Sequence, residues 1–200
     1  MFSHLYNEAT IQFEMHTNSP LFIDSGEQDQ LDPTVADHTY LKAYKNGELL
    51  PVIPGTTLKG VFRSSGEQLL NESCNIFVNA CDRKAKDQKT GKARYEHSCP
   101  ACKLFGSTAI KSRISFSDAY PIEEAKIGRR TSAAMDRITG ATKRGALYNF
   151  EYIEDATFKC QIKLRNFFKW QVKLIFEIFD RIDDSYVTFG GFTSKGFGQM

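Results

Sequence analysis

Apolar and polar residues alternate from Ala9 to His16, with Ile11, Phe13 and Met15 set against Thr10, Gln12 and Glu14. That period of two predicts a half-buried strand, with His16 at its end as a candidate ligand-facing side chain. Residues 18–50 carry no sustained period and are rich in Asp, Glu, Gly and Pro, the profile of a long functional loop. Within its last part, HTYLKAYKNGELLPVI predicts a strand, a turn at Lys45–Gly47 and a returning strand. The pattern then becomes helical over about 56–72, where Leu58, Val61, Phe62, Leu69 and Leu70 share one side. Strands follow at about 113–119, 147–154 and 157–164, and a second helix spans Phe167–Ile182, with Phe168, Val172, Ile175, Phe176 and Phe179 at helical spacing.

The stretch PVIPGTTLKGVFR at 51–63 punctuates this order. Pro54 fixes φ, Gly55 relieves the turn, and Thr56 or Thr57 can cap the first N–H groups of the helix. A helix start of this kind attracts anions, and Lys59 and Arg63, four residues apart, add positive charge near it. An ordinary capped helix has the same pattern, so the stretch acquires meaning only from what accompanies it.

Charge changes the picture most. The 200 residues have a formal net charge of +2, yet residues 1–50 hold 8 acidic and 2 basic side chains, whereas residues 51–147 hold 17 basic and 9 acidic. A nearly neutral chain with a basic middle points to a localised polyanion-binding surface. Apolar residues make up 41% and aromatic residues 12%, enough for a packed core. No apolar run approaches a membrane span and the first residues do not form a signal peptide, so a cytoplasmic protein with no membrane partner is expected.

Four of the five cysteines fall between residues 74 and 102. In His97-Ser-Cys99-Pro-Ala-Cys102 a CxxC turn offers two thiolates, with a histidine two residues before the first. Adding Cys81 predicts a tetrahedral Cys3His structural zinc site made of Cys81, His97, Cys99 and Cys102, with Cys74 as the alternative fourth ligand. A zinc deaminase needs H-x-E well separated from its CxxC; here Ser98 follows His97, which excludes that chemistry. Cys160, in step with Phe158, Ile162 and Leu164, reads as core.

From Lys126 to Arg144 the chain is basic, with Arg129, Arg130, Arg137 and Lys143 opposed by Asp136 alone. It predicts a projecting hairpin whose cations contact phosphates and whose Met135 and Ile138 provide an apolar wedge near the tip. The last stretch, VTFGGFTSKGFGQM, places Gly190 and Gly191 beside Ser194 and Lys195, a main chain able to approach a phosphate backbone closely.

The motifs IPGTTLKG (53–60), CPACKLFG (99–106), DRITGAT (136–142), GALYNFE (145–151) and GGFTSKGFG (190–198), in that order, resemble the RAMP superfamily. Within it they resemble the repeated backbone subunit of type III CRISPR effector complexes, over essentially the whole chain. The resemblance implies an α+β fold, a ferredoxin-like or RRM-like βαββαβ core in one RNA-binding domain over 1–200. Its insertions would be the acidic loop, a zinc knuckle at about 74–106 and a thumb-like hairpin at about 126–146. It implies stacking along a guide RNA, with neighbouring backbone copies and other complex subunits as partners and a complementary target RNA interrupted by the thumb. His16, Lys59, Arg63, Arg129, Arg130, Met135, Arg137, Gly190, Gly191, Ser194 and Lys195 would contact RNA. An aspartate in the loop before IPG would direct magnesium-dependent cleavage of the target; Asp37 is the match, Asp32 the next choice and Asp24 the third. A non-catalytic scaffold subunit or a stand-alone RNA-processing endoribonuclease are the alternatives. The chain stops at GQM where the family continues into a closing strand, which implies completion by another segment or a longer polypeptide.

Overall fold

The structure, a computed structural model, describes residues 4–26, 36–75, 79–81, 83, 88 and 90–200, with the side chains of residues 144 and 145 excepted. It is a mixed α+β fold with antiparallel sheets and four helices among the described residues, consistent with a ferredoxin-like core. Its residues group into two compact units, each gathered from three stretches of chain.

The first unit comprises residues 1–13, 54–118 and 160–187. It holds the β1 residues up to Phe13 and the β8 residues from Cys160 of a sheet ordered β1 (Glu8–His16), β8 (Thr157–Arg165), β4 (Ile114–Phe116), the last two antiparallel with Ile114 opposite Leu164. Alternation along β8 buries Phe158, Cys160, Ile162 and Leu164 completely, as the sequence period requires. Burial pushes the Cys160 thiol up to about 12, so it behaves as an apolar core residue.

Helix α1 (Gly55–Leu69) packs against β4 and against α4 (Lys169–Asp183). Its buried face is Gly55, Leu58, Phe62, Ser65 and Gly66, whereas Leu69 is exposed. The inward face thus turns toward small residues at 65 and 66 because the ring of Phe105 and the side chains of Leu174 and Ile178 lie against Gly66. In α4 the buried stripe is Leu174, Ile175, Ile178 and Ile182, while Phe168 and Phe176 are exposed, so the expected phenylalanine face is only partly the inward one. Phe168 precedes the helix, and its N–H donates to Oε1 of Gln171, a residue buried in the core.

The start of α1 departs from the expected threonine cap. Pro54 occupies the cap position with no side-chain bond, and the Gly55 N–H instead donates to Oδ1 of Asp118 at 2.7 Å. The anion at this helix terminus is therefore the protein's own carboxylate. Gly55 is required because a Cβ there would stand 2.6 Å from the Phe116 carbonyl oxygen.

The second unit comprises residues 14–53, 119–159 and 188–200. It contains two hairpins. The first, β2 (Lys42–Lys45) with β3 (Glu48–Pro51), turns through Asn46 and Gly47 at φ 54° and 90°, the paired positive angles of a primed turn. The second joins β6 (Lys126–Met135) to β7 (Thr142–Asp155), a ladder with register shifts near both ends. Its return strand starts five residues earlier than expected, so the pairing reaches the tip. A short β5 (Tyr120–Pro121) pairs with Lys159 and Phe158 of β8. The core is aromatic: Phe22, Phe150, Tyr152 and Phe197 are buried together, with Tyr148 and Phe192 packed on them.

Two glycines of α1 should respond in opposite senses to alanine. Gly55→Ala forces Cβ into the Phe116 carbonyl and is expected to cost about 1–3 kcal/mol. Gly60→Ala meets nothing within 4 Å and is expected to stabilise by up to about 1 kcal/mol. Urea unfolding of both variants checks the pair; equal effects would contradict the close approach at Gly55.

Candidate functional site

In the second unit the acidic segment returns along β7. His38 N donates to Asn149 O at 3.2 Å and Glu151 N donates to His38 O at 3.0 Å, a parallel bridge with Phe150. This pairing fixes Asp37, an exposed residue whose Oδ2 accepts from the Asn149 N–H at 2.7 Å. It also fixes the His38 ring, whose Nδ1 lies 3.2 Å from Asp24 Oδ2. Asp24 in turn bridges Tyr40 and accepts from the Gly26 N–H. A cleft of about 480 Å³ opens here, with Phe22, Tyr148 and Phe192 as walls and Asp24 and His38 as its ionisable groups. Asp32 lies outside the described residues.

The glycine stretch reaches the same cleft. Gly191 lines it and donates its N–H to the Phe22 carbonyl at 2.7 Å. Gly190, at φ 76°, lies so close to that carbonyl that a Cβ would collide with it. The close approach that these glycines permit is thus made to the protein's own main chain at Phe22. Ser194 and Lys195 lie in an exposed 3-10 turn. The Lys195 ammonium is 3.2 Å from the Tyr148 hydroxyl and 4.5 Å from the centre of the Phe192 ring. The hydrogen bond from Lys195, with one from Ser132, draws the Tyr148 phenol below its ordinary range.

Of the hairpin cations, Arg130 lies against the aromatic core: its Nε donates to the Tyr152 hydroxyl at 2.9 Å and its guanidinium stacks on the Tyr152 and Phe197 rings. Arg129 is exposed on β6. At the tip, Asp136 Oδ1 accepts the N–H groups of Ile138 and Thr139, which pull its carboxyl below the usual range. That turn leaves Met135, Arg137 and Ile138 exposed, Ile138 at 95%. His16 is engaged through Nδ1 with the Thr157 hydroxyl at 2.9 Å and stands 3.8 Å from an Asp155 oxygen.

Lys59 and Arg63 belong to the first unit. Lys59 is partly buried, and burial, with the like charge of Arg63, lowers its pKa. Arg63 is held on three sides: by Glu67 at 2.8 Å, by the Gly106 carbonyl at 3.1 Å and by Cys102 Sγ at 3.6 Å. These bonds make Arg63 a strut between α1 and the cysteine region.

That region contains α2 (Gly91–Glu96) and α3 (Pro100–Phe105). Cys99 caps α3, with Pro100 in its first turn, and its sulfur accepts from the Cys102 N–H at 3.4 Å. The Cys99 N–H donates to Cys81 Sγ at 3.1 Å, and the Cys74 and Cys102 sulfurs are 3.6 Å apart. All four sulfurs lie within 4.8 Å of one another. A tetrahedral zinc with Zn–S bonds of about 2.3 Å separates its sulfurs by about 3.8 Å, so the set fits such an ion. The expected Cys3His set is corrected to Cys74, Cys81, Cys99 and Cys102. His97 ends α2, where its Nδ1 bonds the Ala93 carbonyl at 2.8 Å, and is outside the group.

Crowding divides the thiols. The Cys102 thiol, with help from backbone N–H groups, holds Cys99 down at about 4, while burial first and neighbouring sulfurs second push Cys81 up to about 11. Cys102 is also raised, by its bond to Cys99 and by burial. A zinc ion held by these four thiolates would be net anionic, and the Arg63 guanidinium beside Cys102 would offset that charge.

The sequence offered Cys74 only as the alternative fourth ligand, and nothing in it marked Arg63 as a strut. The available signal was compositional: four cysteines of identical softness lie in one basic segment. Metal analysis is expected to find one zinc per chain. Cys74→Ser should lose it and lower the thermal midpoint, and His97→Ala should keep it; the reverse pattern would restore the histidine ligand.

No curated protein matches the chain. The family model of the RAMP superfamily matches residues 14–200, nearly the whole chain. The chain belongs to the RAMP superfamily.

Proposed function

We propose that this protein is a guide-RNA-binding backbone subunit of a type III CRISPR effector complex, and that it cleaves the paired target RNA through Asp37. RAMP membership supports a CRISPR-associated, RNA-binding role. The observation that carries the finer reading is the pairing of the acidic segment with β7 at Asn149, which sets Asp37 and the Asp24–His38 pair on the strand that returns from the basic hairpin. Arg137 at the tip and Lys195 beside Tyr148 supply positive charge to the same unit. Sequence would then be read by base pairing, and the protein would contribute charge and shape.

In this reading a target nucleotide splayed out by the hairpin presents its ribose to Asp37. The carboxylate accepts a hydrogen bond from the 2′-OH and aligns O2′ with the adjacent phosphorus. O2′ attacks, the P–O5′ bond breaks, and the products are a 2′,3′-cyclic phosphate and a 5′-OH. His38, held by Asp24, carries the proton from O2′ toward the departing O5′. Among the described residues, the cysteine cluster is the metal-ligand group, and no three-ligand group includes Asp37. Magnesium beside Asp37 would rest on one carboxylate, water and RNA oxygens, and would supply charge neutralisation at the scissile phosphate. The zinc would be structural, fastening the segment around residues 74–102 to α1 through Arg63.

The scaffold reading is favoured by one observation: Asp37 Oδ2 is already bonded to the Asn149 N–H, as a purely structural carboxylate would be. In the assembled complex Asp37→Ala is expected to lower target cleavage by about 100-fold or more while guide binding is unchanged. Cleavage at the parental rate would leave the scaffold. For guide binding, Arg137→Glu and Lys59→Glu are each expected to weaken affinity and to reduce the salt slope by about 1. Filter binding across a salt series measures this, and unchanged slopes would remove both residues from the RNA contact.

A further inference from the structure

The first unit contains a groove that none of the roles above uses. It has a volume of about 880 Å³ and lies between α2, the turn at 109–113 and the chain preceding α4. Its described lining residues include His4, Lys92, Arg94, Lys111 and Arg113, and none of them is acidic. Glu96 stands 4.0 Å from the exposed Lys92 ammonium on the same helix.

The groove also has aromatic surface in stacked order. The Arg113 guanidinium lies 4.5 Å from the centre of the Tyr95 ring and 5.1 Å from that of Phe168, and Lys103 stands over Tyr95 at 5.5 Å. Phe168, just before α4, is half exposed, and Tyr6 is 83% exposed. Exposed rings interleaved with cations are a costly arrangement for a surface that meets only water.

The floor is rigid. Asn7 donates through Nδ2 to the Phe167 carbonyl and accepts from the Phe167 N–H, at 3.0 and 2.8 Å. Asn166, at φ 51°, donates to the His4 carbonyl and accepts from the Tyr6 N–H, at 2.8 and 2.7 Å. Four bonds thus hold the main chain at His4, Tyr6 and Phe167, and α2 is set by the Thr90 cap and by the Arg94 Nε bond to the Gln88 carbonyl. A preformed groove lowers the ordering cost of a ligand.

We propose that this groove is a second binding site, for an unpaired polynucleotide strand. Bases stack on the exposed Tyr6 and Phe168 rings that line it, and the intervening phosphates lie against Lys92, Arg94 and Lys111. Stacking needs no particular base, while the cations give the site its salt dependence. An acidic peptide would satisfy the cations but would leave the rings without a partner. A duplex would satisfy the cations too, but its bases are already stacked. That the strand is RNA rests on the function proposed above; the groove itself selects for single-strandedness.

The test uses the full chain carrying Lys92→Glu and Lys111→Glu, two exposed positions that belong neither to the metal group nor to the hairpin, with Tyr6→Ala as a separate variant. Binding of a short fluorescent single-stranded RNA and of a blunt RNA duplex is followed by anisotropy across a salt series. A 4-thiouridine oligomer is crosslinked and the attached peptides are mapped. The charge pair is expected to weaken single-strand binding about 10-fold or more and to flatten its salt slope. Tyr6→Ala should weaken it several-fold with the slope unchanged, and crosslinks should fall within residues 4–7, 91–95 or 166–168. Parental affinity in both variants, with crosslinks confined elsewhere, overturns the site. So does a change in self-association, measured by sedimentation, with RNA affinity unchanged, which would make the groove a protein contact. Loss of binding by Arg137→Glu alone would overturn this site and leave the proposed function standing.

Discussion

Two backbone hydrogen bonds, His38 N to Asn149 O and Glu151 N to His38 O, decide what the acidic segment can do. Without them residues 36–40 would be one more polar stretch in a long loop. With them, Asp37 and His38 are registered against a specific pair of residues on β7, and β7 is the return strand of the basic hairpin. The aromatic core of Phe22, Phe150, Tyr152 and Phe197 supports this register from behind: Phe150 is at once the residue opposite His38 and the centre of that cluster. A one-residue slip would turn Phe150 outward and expose its ring, so burial holds the carboxylate in place.

The same economy operates in the first unit. Arg63 ties Glu67, the Gly106 carbonyl and the Cys102 sulfur together, and Asp118 supplies the negative charge that the start of α1 favours. Groups that look like ligand-binding equipment on a linear chain are here engaged with one another. RNA contact in this account therefore falls on side chains that remain exposed: Arg137 and Ile138 at the hairpin tip, and Ser194 and Lys195 in the last turn. Lys59, partly buried, stands between these two classes.

Elements set by local pattern were legible in the sequence. The alternation of Ile11, Phe13 and Met15, the Asn46–Gly47 turn and the stretch from Pro54 into a helix each depend on neighbours a few residues away, and each appears as expected. What was hidden depends on partners distant in the chain. Asp118 reaches Gly55 across 63 positions and Asp37 meets Asn149 across 112, and no periodicity reports either. The metal set failed for a related reason. Spacing favoured His97 because it is close to Cys99 in sequence, but the α2 carbonyl of Ala93 bonds its ring, whereas Cys74, 28 positions before Cys102, brings its sulfur to 3.6 Å from that of Cys102. The glycines at 190 and 191 were legible as sites of close approach; the main chain they approach, at Phe22, was not.

The central claim is that Asp37 stands beside the target nucleotide displaced at the hairpin. A structure of the assembled complex with guide and target RNA, trapped by a 2′-deoxy substitution at the cut position, tests it most directly. The account predicts the Asp37 carboxylate within hydrogen-bonding distance of that nucleotide's ribose or scissile phosphate, with the Met135–Ile138 tip inserted next to it. A displaced nucleotide lying against Asp24, or with no carboxylate near its ribose, would contradict it.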